Sequence, residues 1–315
     1  MQSGQAKIIF WGTSYFGGQI LEGLIKANFR PILIISTPDK SKSRGLTKQA
    51  SEVKRMAIKH GLEVIQPEKL RDLTLLERLK GLQPDLFIVA SYGKIIPKEI
   101  LEIPKFGSLN VHPSLLPKWR GASPIQAQIL SGESKFGTTI MLIDEQMDHG
   151  EIISNFQFSI SNGRPTFNDL QERLIEESQK LLIDVLPKWF NGQIKTTPQD
   201  HQQATFCEMI KKEDGEINFE ESAEMIDRKI RAFENWPAVW FKLNGKSFKL
   251  MEADVFDNLE LLKNKRNGEF FLQDKRLIVR CADLGLMIKK IQPESKKPLT
   301  GYEFWCGYQN KINLN

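Results

Sequence analysis

Apolar, β-branched runs alternate with segments of helical periodicity along the first half of the chain. The apolar runs include KIIFW (7–11), PILIIST (31–37), DLFIVASYG (85–93) and SLNVH (108–112). Between them, apolar residues recur at spacings of three and four, which predicts helices over residues 51–60 and 73–82. Continuous apolar strands separated by helices are typical of a parallel sheet covered on both faces. We therefore predict an α/β fold with a Rossmann-like, mostly parallel sheet and helices on both faces.

The same pattern continues to the middle of the chain. It predicts a helix at SPIQAQIL (123–130), strands at TTIMLID (138–144) and EIISNFQFSI (151–160), and a long amphipathic helix over 167–190. In such sheets the ligand lies beyond the C-terminal ends of the strands. The segments that leave strands at that edge, and in which we expect a site, are 12–18, 38–45, 91–97 and 113–122.

The chain changes character after its long helix. Residues 191–206 are polar and without periodicity, which predicts a linker. Beyond them, closely spaced short strands with Gly and Asn turns predict a small antiparallel, OB-like β-barrel. We therefore expect a catalytic domain over 1–190, the linker over 191–206, and a C-terminal domain over 207–315.

Composition narrows the functional classes. The 315 residues are 40% hydrophobic and 26% charged, as in an ordinary globular protein. No apolar run approaches the roughly 18 residues of a membrane span, and the few residues before the first strand lead us to expect no secretory or mitochondrial presequence. The three cysteines form no C-x-x-C pair, and no H-E-x-x-H motif accompanies the four histidines. We expect a cytoplasmic protein without a metal cofactor and without a membrane partner.

The net charge of +5 is unevenly distributed. Between residues 40 and 59 there is one acid, Glu52, against seven basic residues, which are Lys40, Lys42, Arg44, Lys48, Lys54, Arg55 and Lys59. A second region, 242–297, holds 13 Lys and Arg against 8 Asp and Glu. Two such regions fit either a polyanionic partner such as RNA or a solvated lysine-rich surface.

Asn110 and His112 are the first candidates for chemistry. They are two apart on one strand, so both side chains leave the same face, and Pro113 then ends the strand. An amide and an imidazole could together stabilise an oxyanion and move a proton. Asp148, after the next strand of the sheet, is the nearest carboxylate that could orient the ring, and we expect all three at one edge of the sheet. No Ser or Cys lies in a nucleophile elbow, so the attacking group belongs to the substrate.

The residues around these three resemble the folate-dependent formyltransferases, specifically the methionyl-tRNA formyltransferase family. The resemblance is carried by NVHPSLLPKWRGASPI (110–125), TTIMLIDEQMDHG (138–150) and EINFEESAEMIDRKIRAFENWPAVW (216–240). It extends over nearly the whole chain, including IIFWGTSYF, STPDKSKSRG, VASYGKIIP and the closing IQPESKKPLTGYEFWCGY. The resemblance implies transfer of a formyl group from 10-formyltetrahydrofolate to the α-amine of initiator methionyl-tRNA. One donor site and one acceptor site per chain require no partner subunit, so we expect a monomer.

The resemblance also implies roles for particular residues. Asn110, His112 and Asp148 would be catalytic. Folate would contact Ser114, Leu115, Leu116, Pro117, Tyr92, Gly93, Ile143, Asp144, Glu145 and Gln146. The loop that approaches the tRNA would carry Lys40, Lys42, Arg44 and Lys48, and the C-terminal barrel would bind tRNA.

Other functions share some of these features. A formyltransferase acting on an amino sugar nucleotide or another small amine would use the same three residues without either basic region. A hydrolase would release formate from the same donor, with water in place of the amine. An RNA-binding module without catalysis would need none of the three. The turn GTSYFG (12–17) matches neither G-x-G-x-x-G nor a P-loop, so a tight turn is favoured over a nucleotide site.

Overall fold

The computed structural model describes residues 6–41, 48–161 and 163–309. The strands are β1 (Ile8–Gly12), β2 (Leu33–Ile35), β3 (Lys40–Ser41), β4 (Lys48–Gln49), β5 (Val64–Ile65), β6 (Leu86–Ala90), β7 (Ser108–His112), β8 (Arg120–Gly121), β9 (Phe136–Leu142), β10 (Ile152–Phe158), β11 (Phe206–Cys207), β12 (Val239–Leu243), β13 (Lys246–Phe256), β14 (Phe270–Gln273), β15 (Arg276–Arg280), β16 (Gly285–Pro293) and β17 (Leu299–Thr300). The helices are α1 (Tyr15–Lys26), α2 (Glu52–Lys59), α3 (Leu73–Leu82), α4 (Lys98–Leu101), α5 (Pro124–Ser131), α6 (Phe167–Phe190), α7 (Ala223–Ala232), α8 (Leu259–Leu262) and α9 (Gly301–Tyr308), with two single-turn 3₁₀ helices at His201–Gln203 and Lys212–Gly215.

The chain folds as two compact units. Among the described residues, the first unit comprises 6–124, 135–160 and 171–208, and the second comprises 125–134, 161–170 and 209–309. No helix of the described residues is long and apolar enough to cross a membrane.

The first unit is built on a seven-stranded sheet in the order β10-β9-β7-β6-β1-β2-β5. The five strands from β7 to β5 pair in parallel, while β9 and β10 are antiparallel to their neighbours. All residues of β1 and β6 are buried, as expected for parallel strands covered on both faces. The predicted α/β class with a mostly parallel sheet is confirmed.

The turn after β1 is shaped by close packing. Ser14 caps α1, its Oγ accepting from the Gly17 amide at 3.3 Å. A Cβ atom at Gly17 would lie 2.5 Å from the Ala90 carbonyl oxygen, so this position requires glycine. The glycines of this turn thus have a structural explanation in the approach of α1 to β6.

The direction of β9 differs from one expectation. The sequence predicts Asn110, His112 and Asp148 at one edge of the sheet, but the strand before Asp148 runs to the opposite edge, because β9 is antiparallel to β7 and pairs Leu142 with Leu109. The segment 143–151 therefore leaves the sheet beside the first residues of β7, where the Ile143 amide donates to the Ser108 carbonyl at 2.9 Å. It must turn back along β7 to bring Asp148 to the candidate site.

The second unit contains an antiparallel sheet in the order β12-β13-β16-β15-β14, with β17 paired to β16. Its core is rich in packed aromatic rings, among them Phe219, Phe241, Phe248, Phe270 and Phe304. The predicted small antiparallel β domain is confirmed. Its strand pairings run from β12 to β14, and no pairing among the described residues joins these two outermost strands.

Candidate active site

Three polar side chains meet beside β7. The Asn110 Nδ2 donates to Asp148 Oδ1 at 3.1 Å, and His112 Nδ1 lies 3.6 Å from the same oxygen. The side chain of His112 is 5% exposed and that of Asp148 is 14% exposed, so the cluster is largely shielded from water. The sequence placed these residues together, and their convergence is as predicted although the Asp148 segment arrives from the other end of β7.

The backbone carbonyl of Trp119 determines which nitrogen of His112 carries the proton. His112 Nε2 lies 3.0 Å from the Trp119 oxygen, and a carbonyl can only accept, so Nε2 must donate. Nδ1 is then the nitrogen that faces Asp148. Trp119 itself has a left-handed backbone (φ 63°), which is unusual for so large a residue.

The Asp148 carboxylate is fixed from two sides. Its Oδ1 accepts from Asn110, and its Oδ2 accepts from the Gly121 amide at 2.8 Å. Gly121 has φ 124°, and a Cβ atom there would lie 2.2 Å from the Cys207 carbonyl oxygen, so no other residue fits. Asp148 also has a left-handed backbone (φ 50°), a conformation that Asp and Asn adopt more readily than most residues.

Arg120, the residue before Gly121, is 4% exposed. Its Nε and Nη2 both donate to Gln199 Oε1, at 3.2 and 2.7 Å, and Nη2 lies 2.9 Å from His201 Nδ1. Burial lowers the pKa of the Arg120 guanidinium, and the negative charges of Asp148 and Asp144 act in the opposite direction. Its positive charge therefore lies close enough to the site to favour anionic groups there.

The folate residues implied by the resemblance divide into two groups. Ser114 is fully buried, and its Oγ donates to the Lys118 carbonyl at 2.7 Å, so it shapes the turn after β7. The Leu116 amide donates to Thr139 Oγ1 at 3.1 Å, while Leu115 and Pro117 are half-buried. Residues 114–117, the wall after β7, are therefore buried or half-buried and held by hydrogen bonds, and they offer no free polar side chain to a ligand.

Tyr92 faces the core instead of a ligand. Its side chain is 2% exposed and packs edge-on against Trp11, with ring centroids 5.2 Å apart. Burial raises the pKa of Tyr92 to about 12. Gly93 beside it is exposed and has φ 80°, so this turn can offer a ligand backbone atoms but not the tyrosine ring.

The remaining folate candidates form the start of the Asp148 segment. Ile143 packs against the buried cluster that contains Tyr92, and Asp144, Glu145 and Gln146 form an exposed turn. Asp144 Oδ1 accepts from the Gln146 amide at 2.9 Å. Glu145 pairs with Lys98 of α4 at 3.1 Å.

The candidate tRNA loop lies partly outside the described residues. Lys42 and Arg44 fall in the segment that the structure does not describe, and Lys40 and Lys48 stand at the paired ends of β3 and β4. Three other cations of the basic region form ion pairs: Lys54 with Asp39 at 2.6 Å, Lys59 with Glu22 at 3.2 Å, and Arg55 with Glu52.

Sequence reasoning missed four groups that build the site: the Trp119 carbonyl, the Gly121 amide, Arg120 and Gln199. Two of them are backbone atoms, which any residue type can supply. Gln199 lies in the polar stretch assigned to a linker, where nothing in the sequence distinguishes a buried glutamine from a solvated one. Within the described residues, no group of three or more His, Cys, Asp and Glu is arranged to hold a metal ion.

Comparison with known proteins places both units in one family. The model for "Formyl transferase" matches residues 6–186, and that for "Formyl transferase, C-terminal domain" matches 209–309. The methionyl-tRNA formyltransferase of Sulfurihydrogenibium sp. is 38% identical over 97% of this chain and 98% of its own length. That of Thermotoga maritima is 41% identical over 94% of each chain.

Solved structures share the fold at lower identity. An N-formyltransferase from Helicobacter canadensis, in complex with folinic acid and dTDP-3-aminofucose, has a TM-score of 0.64 and 21% identity over 92% of this chain and all of its own. HypX from Aquifex aeolicus in complex with tetrahydrofolic acid has a TM-score of 0.61 and 17% identity over 97% of this chain and 48% of its own. The two family models, which together match nearly the full sequence, and the relatives of 38% and 41% identity show that the chain belongs to the formyl transferase family, alongside the methionyl-tRNA formyltransferases.

Proposed function

We propose that this protein transfers the formyl group of 10-formyltetrahydrofolate to the α-amine of methionine esterified to initiator tRNA. The observation that carries the reaction is the carboxylate of Asp148, held by Asn110 and Gly121 and facing His112. The acceptor is supported by relatives named methionyl-tRNA formyltransferase that align over both units. As a step before translation initiation, the reaction is expected in the cytoplasm.

The proposed transfer is direct. The neutral amine of the methionyl ester attacks the formyl carbon, which gives a tetrahedral intermediate with a negatively charged oxygen. The bond from that carbon to N10 of the folate then breaks, N10 takes the electron pair and a proton, and the amine loses one proton. No nucleophile of the protein is needed, in keeping with the polar but non-nucleophilic site.

Asn110 is the proposed donor to the oxyanion. One hydrogen of its amide is bound by Asp148, and among the described residues no hydrogen bond uses the other. The bond to Asp148 fixes the amide, so the second hydrogen is held in place before the oxyanion forms. One such donor is typically worth about 3–4 kcal/mol of barrier lowering.

His112 and Asp148 are the proposed proton carriers. We had expected the ring to donate to the oxyanion as well, but its Nε2 proton is engaged by the Trp119 carbonyl. Nδ1 is 3.6 Å from Asp148, longer than a hydrogen bond, and such distances commonly shorten when substrate binds. A proton taken from the amine would charge the His112 ring, which then forms an ion pair with the Asp148 carboxylate. That proton then passes to N10.

The donor is proposed to lie between the wall after β7 and the turn at 143–146. Apolar surface from Leu115 and Ile143 suits a flat pterin ring, and exposed backbone at Gly93 and in the turn suits its hydrogen-bonding edge. Tyr92 would contribute through its backbone alone. Lys40, Lys42, Arg44 and Lys48, with basic residues of the C-terminal unit, are proposed to contact tRNA phosphates. Donor and acceptor need no partner subunit, so we propose a monomer.

The test compares acceptors with a single donor. Purified protein is mixed with 10-formyltetrahydrofolate and one of four acceptors: methionyl initiator tRNA, free methionine, an amino sugar nucleotide, or none. Tetrahydrofolate release is followed by absorbance. We expect turnover with the charged tRNA and a steep rise of its KM with salt, because phosphate contacts release counterions. Turnover with the sugar nucleotide alone, or equal release without an acceptor, would refute the proposed acceptor.

A further inference from the structure

Gln199 is a buried polar residue in an otherwise solvated segment. Within 191–206, all of which the structure describes, it is the one buried residue, at 5% exposure. It lies between the two matched family regions, 6–186 and 209–309. Burying an amide is unfavourable unless its hydrogen bonds are made, so its position calls for an explanation in its contacts.

The Gln199 amide joins Arg120 to the backbone that carries Asp148. Its Nε2 donates to the Asp148 carbonyl oxygen at 2.9 Å and to the Gly150 carbonyl oxygen at 2.7 Å. Its Oε1 accepts both hydrogen bonds from the Arg120 guanidinium. Both amide hydrogens and the amide oxygen are therefore used, and only a primary amide supplies this combination of two donors and one acceptor.

A second contact from this region reaches His149, between Asp148 and Gly150. The Nη2 of Arg120 lies 2.9 Å from His201 Nδ1, and the His201 ring stacks on His149 with centroids 4.1 Å apart and planes 3° from parallel. His149 Nδ1 in turn is 2.6 Å from Asp144 Oδ2. Side chains of residues 199–201 thus contact residues 148–150 directly, and His149 in turn joins this end of the segment to Asp144.

The chain around Gln199 is itself anchored. Thr197 and Ile152 exchange two backbone hydrogen bonds of 2.8 Å, and further along the chain β11 (Phe206–Cys207) pairs with β8. The Gln199 side chain therefore extends from an anchored backbone. It contacts Asp148, whose left-handed backbone conformation is uncommon for residues other than glycine.

We propose that Gln199 is a positioning residue that holds Asp148 in its reactive orientation through the two carbonyls. This rests on the proposed function, in which Asp148 carries protons. The two carbonyls belong to the peptide groups that directly follow Asp148 and Gly150. Holding these peptide groups fixes the backbone from which the Asp148 carboxylate extends. Loss of both hydrogen bonds would let the carboxylate turn away from Asn110 and Gly121, which lowers the rate of the chemical step without removing a group that touches substrate.

The test uses Gln199→Glu, which is nearly isosteric. A glutamate still accepts from Arg120, so that contact and the packing remain, but its carboxylate cannot donate to either carbonyl. We expect kcat to fall about 10- to 100-fold while the KM of each substrate changes less than about threefold, because only the geometry of the chemical step is altered. Gln202→Glu is the matched control, since the same change is made on an exposed side chain three residues away, and it should leave kcat unchanged.

A double-mutant cycle with Asp148→Asn separates positioning from general damage. If Gln199 acts through Asp148, the second substitution costs at most about twofold in the Asp148→Asn background, measured in single turnovers. An equal loss in both backgrounds, or wild-type kcat in Gln199→Glu, would overturn the positioning role while leaving the proposed function intact. A wild-type protein that formylates no amine would overturn both. Amide exchange over 144–150 should also be faster in Gln199→Glu than in Gln202→Glu.

Discussion

Replacing Asp148 with asparagine is the sharpest perturbation of the proposed mechanism. The two side chains have nearly the same shape, and asparagine tolerates the left-handed backbone at this position (φ 50°). The substitution therefore changes charge and hydrogen bonding with little change in conformation. In the wild type, both carboxylate oxygens accept hydrogen bonds, one from the Asn110 amide and one from the Gly121 amide.

The expected loss follows from these contacts. An asparagine at 148 has one oxygen and one NH₂ group, so with the Asn110 and Gly121 amides oriented as in the wild type its NH₂ meets another N–H in either orientation. One hydrogen bond to a charged group, worth roughly 1.5–3 kcal/mol, is lost. The negative charge 3.6 Å from His112 Nδ1 is also removed, and its attraction for a protonated ring is about 5 kcal/mol at an effective dielectric constant of about 20. The amide dipole retains part of that attraction, so we expect kcat to fall about 10²- to 10³-fold.

The assay is formyl transfer to methionyl initiator tRNA, followed by tetrahydrofolate release with both substrates saturating. Asp72→Asn is the matched control, because Asp72 caps α3 through the Thr74 amide at 2.8 Å and asparagine caps helices equally well. We expect the control to keep wild-type kcat, and both proteins to unfold at similar temperatures. If Asp148→Asn retained more than about a tenth of the wild-type kcat, Asp148 would not be the proton carrier.

Three further outcomes follow from the described contacts. Gly121→Ala should lower kcat at least about tenfold and lower stability by about 1–3 kcal/mol, because its Cβ would meet the Cys207 carbonyl at 2.2 Å; a normal melting temperature would contradict this. In the second unit, burial acts to raise the pKa of Asp283, but backbone donors including the Ala223 amide outweigh it and leave that pKa below its usual value. Asp283→Ala should thus destabilise the protein by about 1 kcal/mol at pH 7. The urea midpoints of variant and wild type should converge as the pH falls through the depressed pKa of Asp283, below 3.8, because the wild type then loses the same charge; a difference that stays constant on acidification would refute this linkage. Burial raises the pKa of the Cys207 thiol, so at pH 8 iodoacetamide should modify the exposed Cys306 before Cys207, with labelling of Cys207 accelerating as the pH rises; equal rates in peptide mapping would disagree.

Local pattern sufficed for most elements of the fold. The strand Ser108–His112 and the helices Leu73–Leu82 and Phe167–Phe190 were predicted with the bounds that the structure has. The two helices are strongly periodic, so their own residues decide which face is buried, and the strand is a short run bounded by Gly107 and Pro113. The spacing of Asn110 and His112 on one strand likewise requires only the alternation of side chains, and it identified two of the three residues of the candidate site.

Long-range pairing decided what local pattern could not. The reversed direction of β9 depends on its partner, and a strand's own residues carry little information about whether a neighbour runs parallel or antiparallel. The return of the 143–151 segment to β7 depends in turn on that direction.

The sequence by itself determined the fold class, the family and the amide and imidazole of the site, because these depend on residue identity and short spacing. Only the tertiary structure decided that the Trp119 carbonyl accepts a hydrogen bond from His112 Nε2, that the Gly121 amide donates to Asp148, and that Gln199 is buried and donates to the Asp148 and Gly150 carbonyls. Backbone groups are the same in every residue, and a glutamine is polar wherever it lies. Their roles arise from where the folded chain places them.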